Sequence, residues 1–478
     1  MRDVRPATCT PETTGQNAGD NVSTRHIVAT TETGQSVKRK SLAEWLNYQQ
    51  QTHPRSIELG LARVGEVWRR MGAPRPAPIV ITVGGTNGKG STVAFLEAML
   101  AADGKRVGCY TSPHLLRYNE RIRVLGQDAA DAVLIDAFER IEAARHGEPG
   151  KVALTYFEFG TLAALWICAQ NALDVAVLEV GLGGRLDAVN IVDADVSIVT
   201  TVDLDHQDWL GNDRDSIGRE KAGIFRAARP AIVGTRDPPR GLLDEATRIG
   251  AAVMRASIDF EAIGQPNGWT WHCEGTTVDL PQPALLAPCQ IDNAAAAVAA
   301  LHCLRPQLGW NPQALACGVR DAHAAARMQR LASDAHAEVV VDVAHNPQAA
   351  RVLGRWLDEN PVAGRTIALF GALDDKDVAG IVTPLAVHVD TWFLAGLDAL
   401  SPRGLSAERL RERVAASAPA SAHAVFPEPA AALGEAMRVT APGDRVVAFG
   451  SFFTAAAVLE ATGLCAPAFS AGATAARV

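Results

Sequence analysis

The stretch Val83-Gly84-Gly85-Thr86-Asn87-Gly88-Lys89-Gly90-Ser91-Thr92 carries the residue types that hold a phosphate chain. Glycines let successive backbone N–H groups wrap an anion at the start of a helix. Lys89 can then reach the outer phosphates, and the Ser91 hydroxyl can ligate Mg²⁺. Gly85, Thr86, Asn87, Gly88, Lys89, Gly90, Ser91 and Thr92 are therefore the candidate nucleotide-binding set. Gly90, between the lysine and the serine, separates the pattern from the common GxxxxGK[ST] form. The alternative is a plain tight turn from strand to helix, against which Lys, Ser and Thr all following a strand weigh heavily.

Carboxylates follow at strand ends. Asp174 to Leu178 reads as a central strand that Glu179 terminates, before Gly181-Leu182-Gly183-Gly184-Arg185. A carboxylate there, beside a phosphate loop, is placed to hold Mg²⁺; a solvent-facing glutamate is the alternative. Val196 to Val202 runs into Asp203-Leu204-Asp205-His206, a second candidate metal corner, although Mg²⁺ prefers oxygen to imidazole. Pro113 forces a loop after the strand Val107 to Tyr110, leaving Ser112 and His114 at the ligand-bearing edge of a sheet. Glu158 is the one charge in the first turn of an apolar helix, where a dipole partner is the ordinary role. By spacing alone Lys221 is an ordinary exposed lysine on a short helix.

The elements that must position these groups alternate as strand and helix. Ile79 to Val83 is the strand before the phosphate loop, and Val93, Leu96 and Leu100 put one helix face on a sheet. Residues 1–40 are polar and without periodicity, which predicts a disordered tail. Ser41 caps a first helix, and a second is expected from Ile57 to Met71. The rhythm is lost over 236–288, where Trp269 to Gly275 suggests an antiparallel hairpin. An alanine-rich helix from Asn293 to Leu304 follows. Short strands at 339–341, 367–370, 392–394 and 446–449 then form a separate α/β unit. The expectation is an α/β protein: a P-loop ATPase domain (41–324) with a mostly parallel central sheet, and a smaller Rossmann-like domain (325–478). At 478 residues two or three domains are the prior. A net charge of −8 with no basic block after residue 40 argues against nucleic acid as the main partner. Eight cysteines without a CxxC pair give neither a zinc pattern nor a disulfide framework, so reduced thiols in a cytoplasm are expected. The most apolar stretch is interrupted by charged and amide side chains, and none is expected to span a membrane.

Taken together, the motifs resemble the folylpolyglutamate synthase/dihydrofolate synthase family of the Mur ligase superfamily. The resemblance is carried by Gly85 to Ser91, by Thr111-Ser112-Pro113-His114-Leu115, by Glu179 to Asp187 and by Asp205-His206. Glu220-Lys221-Ala222-Gly223-Ile224, Asp342 to Pro347 and Gly450 to Phe453 complete it. It implies two α/β domains with the active site between them. It implies ATP and two Mg²⁺ sites, with Ser91, Ser112, Glu179 and His206 as ligands. Lys221 would be carbamylated and would serve the second metal. Lys89, Lys221 and His206 would form the catalytic set, and Asn293, Arg327, Asp342 and His345 would contact ATP. Substrate would meet Ser112, His114, Arg123, Glu158, Arg185 and Asp187. Where the family often has His-Gln and Pro-Gly-Arg, this chain has Cys289-Gln290 and Ala325-Ala326-Arg327.

The implied activity is addition of L-glutamate, through an acyl phosphate, to dihydropteroate and to reduced folates by a monomeric cytoplasmic enzyme. Leu154 to Thr161 and Asp342 to Pro347 look like the versions in bacterial enzymes with both activities. Two other classes fit less well. A switch GTPase would carry an Asn-Lys-x-Asp motif, which is absent from the sequence. A cell-wall ligase would usually have a UDP-binding domain before the P-loop, where only about 40 structured residues are expected.

Overall fold

The computed structural model describes residues 39–55, 57–331, 337–418 and 422–463. The tail expected at 1–40 lies outside them except for its last two residues. From Ser41 onward the chain clusters as one compact unit.

The first sheet has eight strands. They are β1 (Ile79–Gly84), β2 (Val107–Tyr110), β3 (Ile122–Val124), β4 (Gln127–Asp128), β5 (Val175–Glu179), β6 (Val196–Val199), β7 (Pro230–Val233) and β8 (Ala252–Arg255), in the order β4-β3-β2-β5-β1-β6-β7-β8. Only β3 and β4 run antiparallel to their neighbours. Register places the chemistry. Val83 pairs with Glu179, and Gly84 pairs with Val199, so the phosphate loop, Glu179 and Thr200 leave the sheet at one level. Tyr110 pairs with Leu178, which brings the Ser112 loop to the same edge.

The helix after the phosphate loop (Lys89–Ala102) departs from the expected single apolar face. Every residue from Ser91 to Leu100 is buried. The sheet covers one side, and the alanine-rich helix (Gln290–Cys303) and helix Pro312–Asp321 cover the other. Gly318 permits the closest approach: a Cβ there would lie 2.4 Å from the Met99 backbone nitrogen. The second helix is also shorter than expected, Ala62–Arg70, because Gly60 at φ +150° interrupts the chain before it.

Nor is the strand–helix rhythm lost at 236. Helix Arg240–Ile249 and β8 extend the first sheet by another parallel strand. The foreseen hairpin is part of a three-stranded meander, β9 (Glu261–Gln265), β10 (Gly268–Cys273) and β11 (Thr276–Leu280).

The second sheet is built from β12 (Gln329–Leu331), β13 (Glu338–Val341), β14 (Thr366–Phe370), β15 (Thr391–Ala395), β16 (Ala422–Phe426) and β17 (Arg445–Phe449). Its order is β12-β13-β17-β14-β15-β16, parallel except for β12. The four expected strands are its centre, and β12 and β16 are the edges that sequence reading left out. The described residues contain no disulfide and no helix long and apolar enough to cross a membrane.

Candidate active site

A cleft of about 1230 Å³ opens at the strand ends of both sheets. The phosphate loop forms its floor. Gly85 adopts φ +143°, and a Cβ there would sit 1.9 Å from Thr200 Oγ1. Gly88, at φ +87°, caps the following helix, and a Cβ would come 2.4 Å from Asn293 Oδ1. Both positions need glycine for conformation and for space. The loop is braced from behind: Thr200 donates to the Asn87 carbonyl (2.6 Å), and the Asn87 N–H donates to Thr201 Oγ1 (3.0 Å). Lys89 Nζ folds over the loop onto the carbonyls of Gly85 (3.1 Å) and Thr86 (3.2 Å). Ser91 lines the cleft and accepts from Gln290 Nε2 at 3.3 Å. Thr92 does not line it; its buried hydroxyl has no partner among the described residues.

Glu179 is 4% exposed and takes one hydrogen bond, from the Ser112 N–H at 3.1 Å. Burial pushes its carboxyl pKa up, against the pull of Lys89 and Arg327. The alternative of a solvent-facing glutamate is thereby excluded. A Cβ placed on Gly90 would lie 3.8 Å from Glu179 Oε2 and 3.7 Å from Arg327 Nη2, so the carboxylate and the guanidinium converge above the loop. An under-bonded carboxylate beside the Ser91 and Ser112 hydroxyls is an oxygen donor set that fits a hard divalent cation.

The second corner is divided. Asp203 is ion-paired with Arg351 at 2.7 Å. Asp205 meets Lys376 Nζ (2.8 Å), Asn346 Nδ2 (3.2 Å) and His345 Nε2 (3.5 Å), all from the second sheet's side. Burial alone would raise the pKa of Asp205, but the His345 hydrogen bond and the Lys376 charge hold it well below the carboxylate range. Both carboxylates, read in sequence as metal donors, instead tie the two sheets together. His206 remains in the cleft, held at φ +51° with its N–H on Asp205 Oδ1 (2.9 Å). Burial lowers its pKa to about 4, so the imidazole is neutral at pH 7.

Lys221 corrects the reading from spacing. It is 4% exposed, not solvent-facing, and lines the cleft. Burial, and then the charge of Lys89, lower its pKa to about 7, so much of the amine is neutral at physiological pH.

The second sheet supplies the opposite wall. Asp342 follows β13 and accepts from the N–H groups of Met328 (2.8 Å) and Ala344 (2.7 Å). Arg327 lies between Ala326 and Met328, both at φ +51°, with its guanidinium 5.4 Å from the Phe452 ring centroid. The departure from Pro-Gly-Arg therefore leaves an alanine in a left-handed conformation that suits glycine. His345 and Asn293 line the cleft; Asn293 donates to Gln290 Oε1 at 2.9 Å. Asn87 donates to Asn346 (3.0 Å) and Gln348 (2.5 Å), joining the phosphate loop to the start of helix Pro347–Glu359.

His114 also lines the cleft, and its Nδ1 accepts from Arg121 Nε at 2.8 Å. Burial and the Arg121 charge take its pKa to about 4. Four expected substrate residues lie elsewhere. Arg123 is paired with Glu97 at 2.8 Å behind the sheet edge. Glu158 closes a capping box with Thr155 and pairs with Arg63 at 3.1 Å. Arg185 is half-exposed on Glu220 (2.9 Å). Asp187 is buried and accepts from the N–H groups of Gly181 (3.1 Å), Leu182 (2.9 Å) and Val189 (3.0 Å), shaping the loop after Glu179 without facing the cleft. In their place the cleft holds Arg121, Gln348, Arg351 and Lys376. These four carry no strand-end signal: they sit on loops and a helix whose facing is set by tertiary packing.

The second sheet delivers Arg327, Asp342 and His345 to the same cleft as the phosphate loop. Such a two-sheet cleft defines the Mur ligases, and the family models agree: the Mur ligase middle domain matches residues 83–301 and the Mur ligase, glutamate ligase domain matches 326–452. The dihydrofolate synthase/folylpolyglutamate synthase of Escherichia coli K12 is 45% identical over 420 residues, covering 88% of this chain and 95% of that protein. The solved structure of E. coli FolC in complex with DHPP and ADP superposes with a TM-score of 0.82 at 44% identity, covering 89% and 98% of the two chains. A bifunctional folylpolyglutamate synthase/dihydrofolate synthase solved with Mn, AMPPNP and L-glutamate bound gives 0.80 at 43% identity, covering 89% and 98%. The chain belongs to the dihydrofolate synthase/folylpolyglutamate synthase family.

Proposed function

We propose that this chain is a bifunctional ATP-dependent ligase that adds L-glutamate to dihydropteroate and to reduced folates, releasing ADP and phosphate. The observation that carries the reading is the convergence of Lys89, Glu179 and Arg327 over one phosphate loop, from three different parts of the chain. A carboxylate does not accept an amine at neutral pH, because oxide is a poor leaving group. Transfer of the γ-phosphoryl group of ATP to the folate carboxylate gives an acyl phosphate. The glutamate amine then attacks the carbonyl, and phosphate departs from the tetrahedral intermediate.

The chain's own residues account for the demands of this sequence. The loop N–H groups from Gly85 to Ser91 bind the phosphates, and Lys89 neutralises charge on the group in transfer. Arg327, 3.7 Å from the Cβ position of Gly90, can approach the same oxygens from the connector. Ser91, Ser112, Glu179 and His206 would hold Mg²⁺, which supplies further neutralisation and orientation of the phosphoryl group. Lys221 would serve a second cation as a carbamate: CO₂ adds to the neutral amine, a proton leaves, and a cationic head becomes an oxygen donor. Its burial in the cleft and its depressed pKa support that chemistry. Asn293 contacts ATP from beside the phosphate loop and Asp342 and His345 from the far wall, and Ser112 and His114 lie where the pterin-bearing substrate enters. A 41–324 ATPase domain, a 325–478 Rossmann-like domain, a monomer and a cytoplasmic setting complete the reading.

Steady-state phosphate release with ATP and glutamate, supplying dihydropteroate or tetrahydrofolate in turn, tests it. Turnover of both acceptors is expected. Turnover of one alone at saturation would reduce the enzyme to a single activity, and turnover of neither would remove the folate assignment.

A further inference from the structure

Away from the cleft, the β10–β11 hairpin lays Cys273 and Glu274 against the C-terminal end of the alanine-rich helix, where His302 sits. The Cys273 sulfur, one Glu274 carboxylate oxygen and one His302 ring nitrogen all lie within 4.8 Å of one another. None of the three lines the cleft. The turn explains the geometry: Glu274 at φ +44° and Gly275 at φ +77° form a tight two-residue connection of the primed type. That turn holds the glutamate beside the end of β10.

A second observation points the same way. His302 is only 5% exposed, yet its Nδ1 is buried with no hydrogen-bond partner among the described residues. Buried imidazole nitrogens are ordinarily bonded, and leaving one unpaired is unfavourable. Trp271 and Trp310 wall the ring, with centroids 5.2 and 5.3 Å away. Cys303 adjoins the group, and the charged neighbours facing it are Asp259 and Arg305, which offset one another.

We propose that Cys273, Glu274 and His302 form a site for a thiophilic divalent cation of the Zn²⁺ class, clipping the hairpin to the helix. One sulfur, one nitrogen and one oxygen donor suit Zn²⁺, with a fourth position left to water. Mg²⁺, the cation suited to the cleft, does not compete for a thiolate. Zn–ligand distances of about 2.0–2.3 Å imply ligand–ligand separations of about 3.5 Å, so the three donors close in by about an ångström. The exposed Glu274 side chain can supply most of that movement. On binding, the Cys273 thiol loses its proton to solvent as the S–Zn bond forms; the imidazole enters neutral and the carboxylate charged.

The test is titration of the full-length protein with Co²⁺ in excess Mg²⁺, followed by displacement with Zn²⁺. A thiolate-to-cobalt charge-transfer band should saturate at one equivalent, and tryptophan emission should be quenched in step. Cys273→Ser should abolish the band. Glu274→Gln, at an exposed turn that leaves the core intact, should weaken Co²⁺ binding roughly tenfold or more. Both variants should keep wild-type ligase turnover, because no catalytic group is touched. Cys289 is the thiol that lines the cleft, so a band surviving both substitutions would assign the ion there and overturn the proposal. Absence of the band in the wild-type protein would overturn it as well.

Discussion

Replacing Lys89 by alanine removes one cation that acts at two levels. The direct loss is the charge over the transferring phosphoryl group. Removing one preorganised donor of this kind costs about 10²–10³ in kcat, or roughly 3–4 kcal/mol. The indirect loss runs through neighbours. Lys89 is the strongest charge depressing the pKa of Lys221, after burial, and the strongest one opposing the rise at Glu179. Without it Lys221 titrates above about 7, each unit being about 1.4 kcal/mol, so less of its amine is neutral and able to take up CO₂. Glu179 also becomes easier to protonate, which weakens cation binding. Stability should change little: Lys89 Nζ bonds only the Gly85 and Thr86 carbonyls, at about 1 kcal/mol each at most, and the half-buried loop can return them to water. The assay is phosphate release at saturating ATP, glutamate and acceptor, paired with a thermal unfolding midpoint. A folded Lys89→Ala enzyme keeping more than about a tenth of wild-type kcat would refute the assignment of Lys89 to phosphoryl transfer.

Three further outcomes are expected. Purging CO₂ should lower turnover and bicarbonate should restore it, with mass spectrometry of gently handled protein showing the added carboxylate on Lys221; an active enzyme with an unmodified lysine contradicts the carbamate. Arg123→Ala should strand the buried Glu97 carboxylate and cost about 3–5 kcal/mol in urea unfolding while leaving the folate KM unchanged; a raised KM at wild-type stability would return Arg123 to the substrate. Asp187 has a pKa of about 6 in the fold, raised by burial from 3.8. The native state thus binds its proton more tightly than the unfolded chain does. Its contribution is full below about pH 4 and is lost as pH rises through about 6, a change of about 3 kcal/mol. The stability of wild type relative to Asp187→Asn should therefore fall from pH 4.5 to 7, and a relative rise would be inconsistent with a buried, raised carboxyl.

The chemistry at strand ends was legible because strand, turn and ligand are contiguous in sequence. Glycines around Lys89, and Glu179 closing an apolar run, needed no tertiary information. Lys221 was illegible for the opposite reason: its helix, Arg214–Ala222, is polar by composition, and only packing near Lys89, Asp205 and Asp187 buries it. Asp203 and Asp205 misled because two carboxylates at a strand end resemble a metal corner whether their partners are cations or side chains. Their partners, Arg351 and Lys376, lie 148 and 171 residues further on. Arg121 ends the turn before β3 and Arg123 lies within β3, and spacing did not distinguish the arginine that faces the cleft from the one that pairs with Glu97. The edge strands β4, β8, β12 and β16, and β3 next to an edge, were missed because short, half-exposed strands lack a continuous apolar run.

The left-handed pair flanking Arg327 has a bearing on economy of ATP use. Ala326 and Met328 each hold a conformation that costs an L-residue about 1–2 kcal/mol. They sit in the connector between the two sheets, the segment that any opening of the cleft must bend. Relaxing that segment would release strain and withdraw the arginine from above Gly90 together. An opened cleft would thus lack the guanidinium that the present conformation holds beside Gly90. Such a coupling would discourage idle hydrolysis through backbone geometry, and it would be set at Ala326 and Met328, the residues on either side of the arginine.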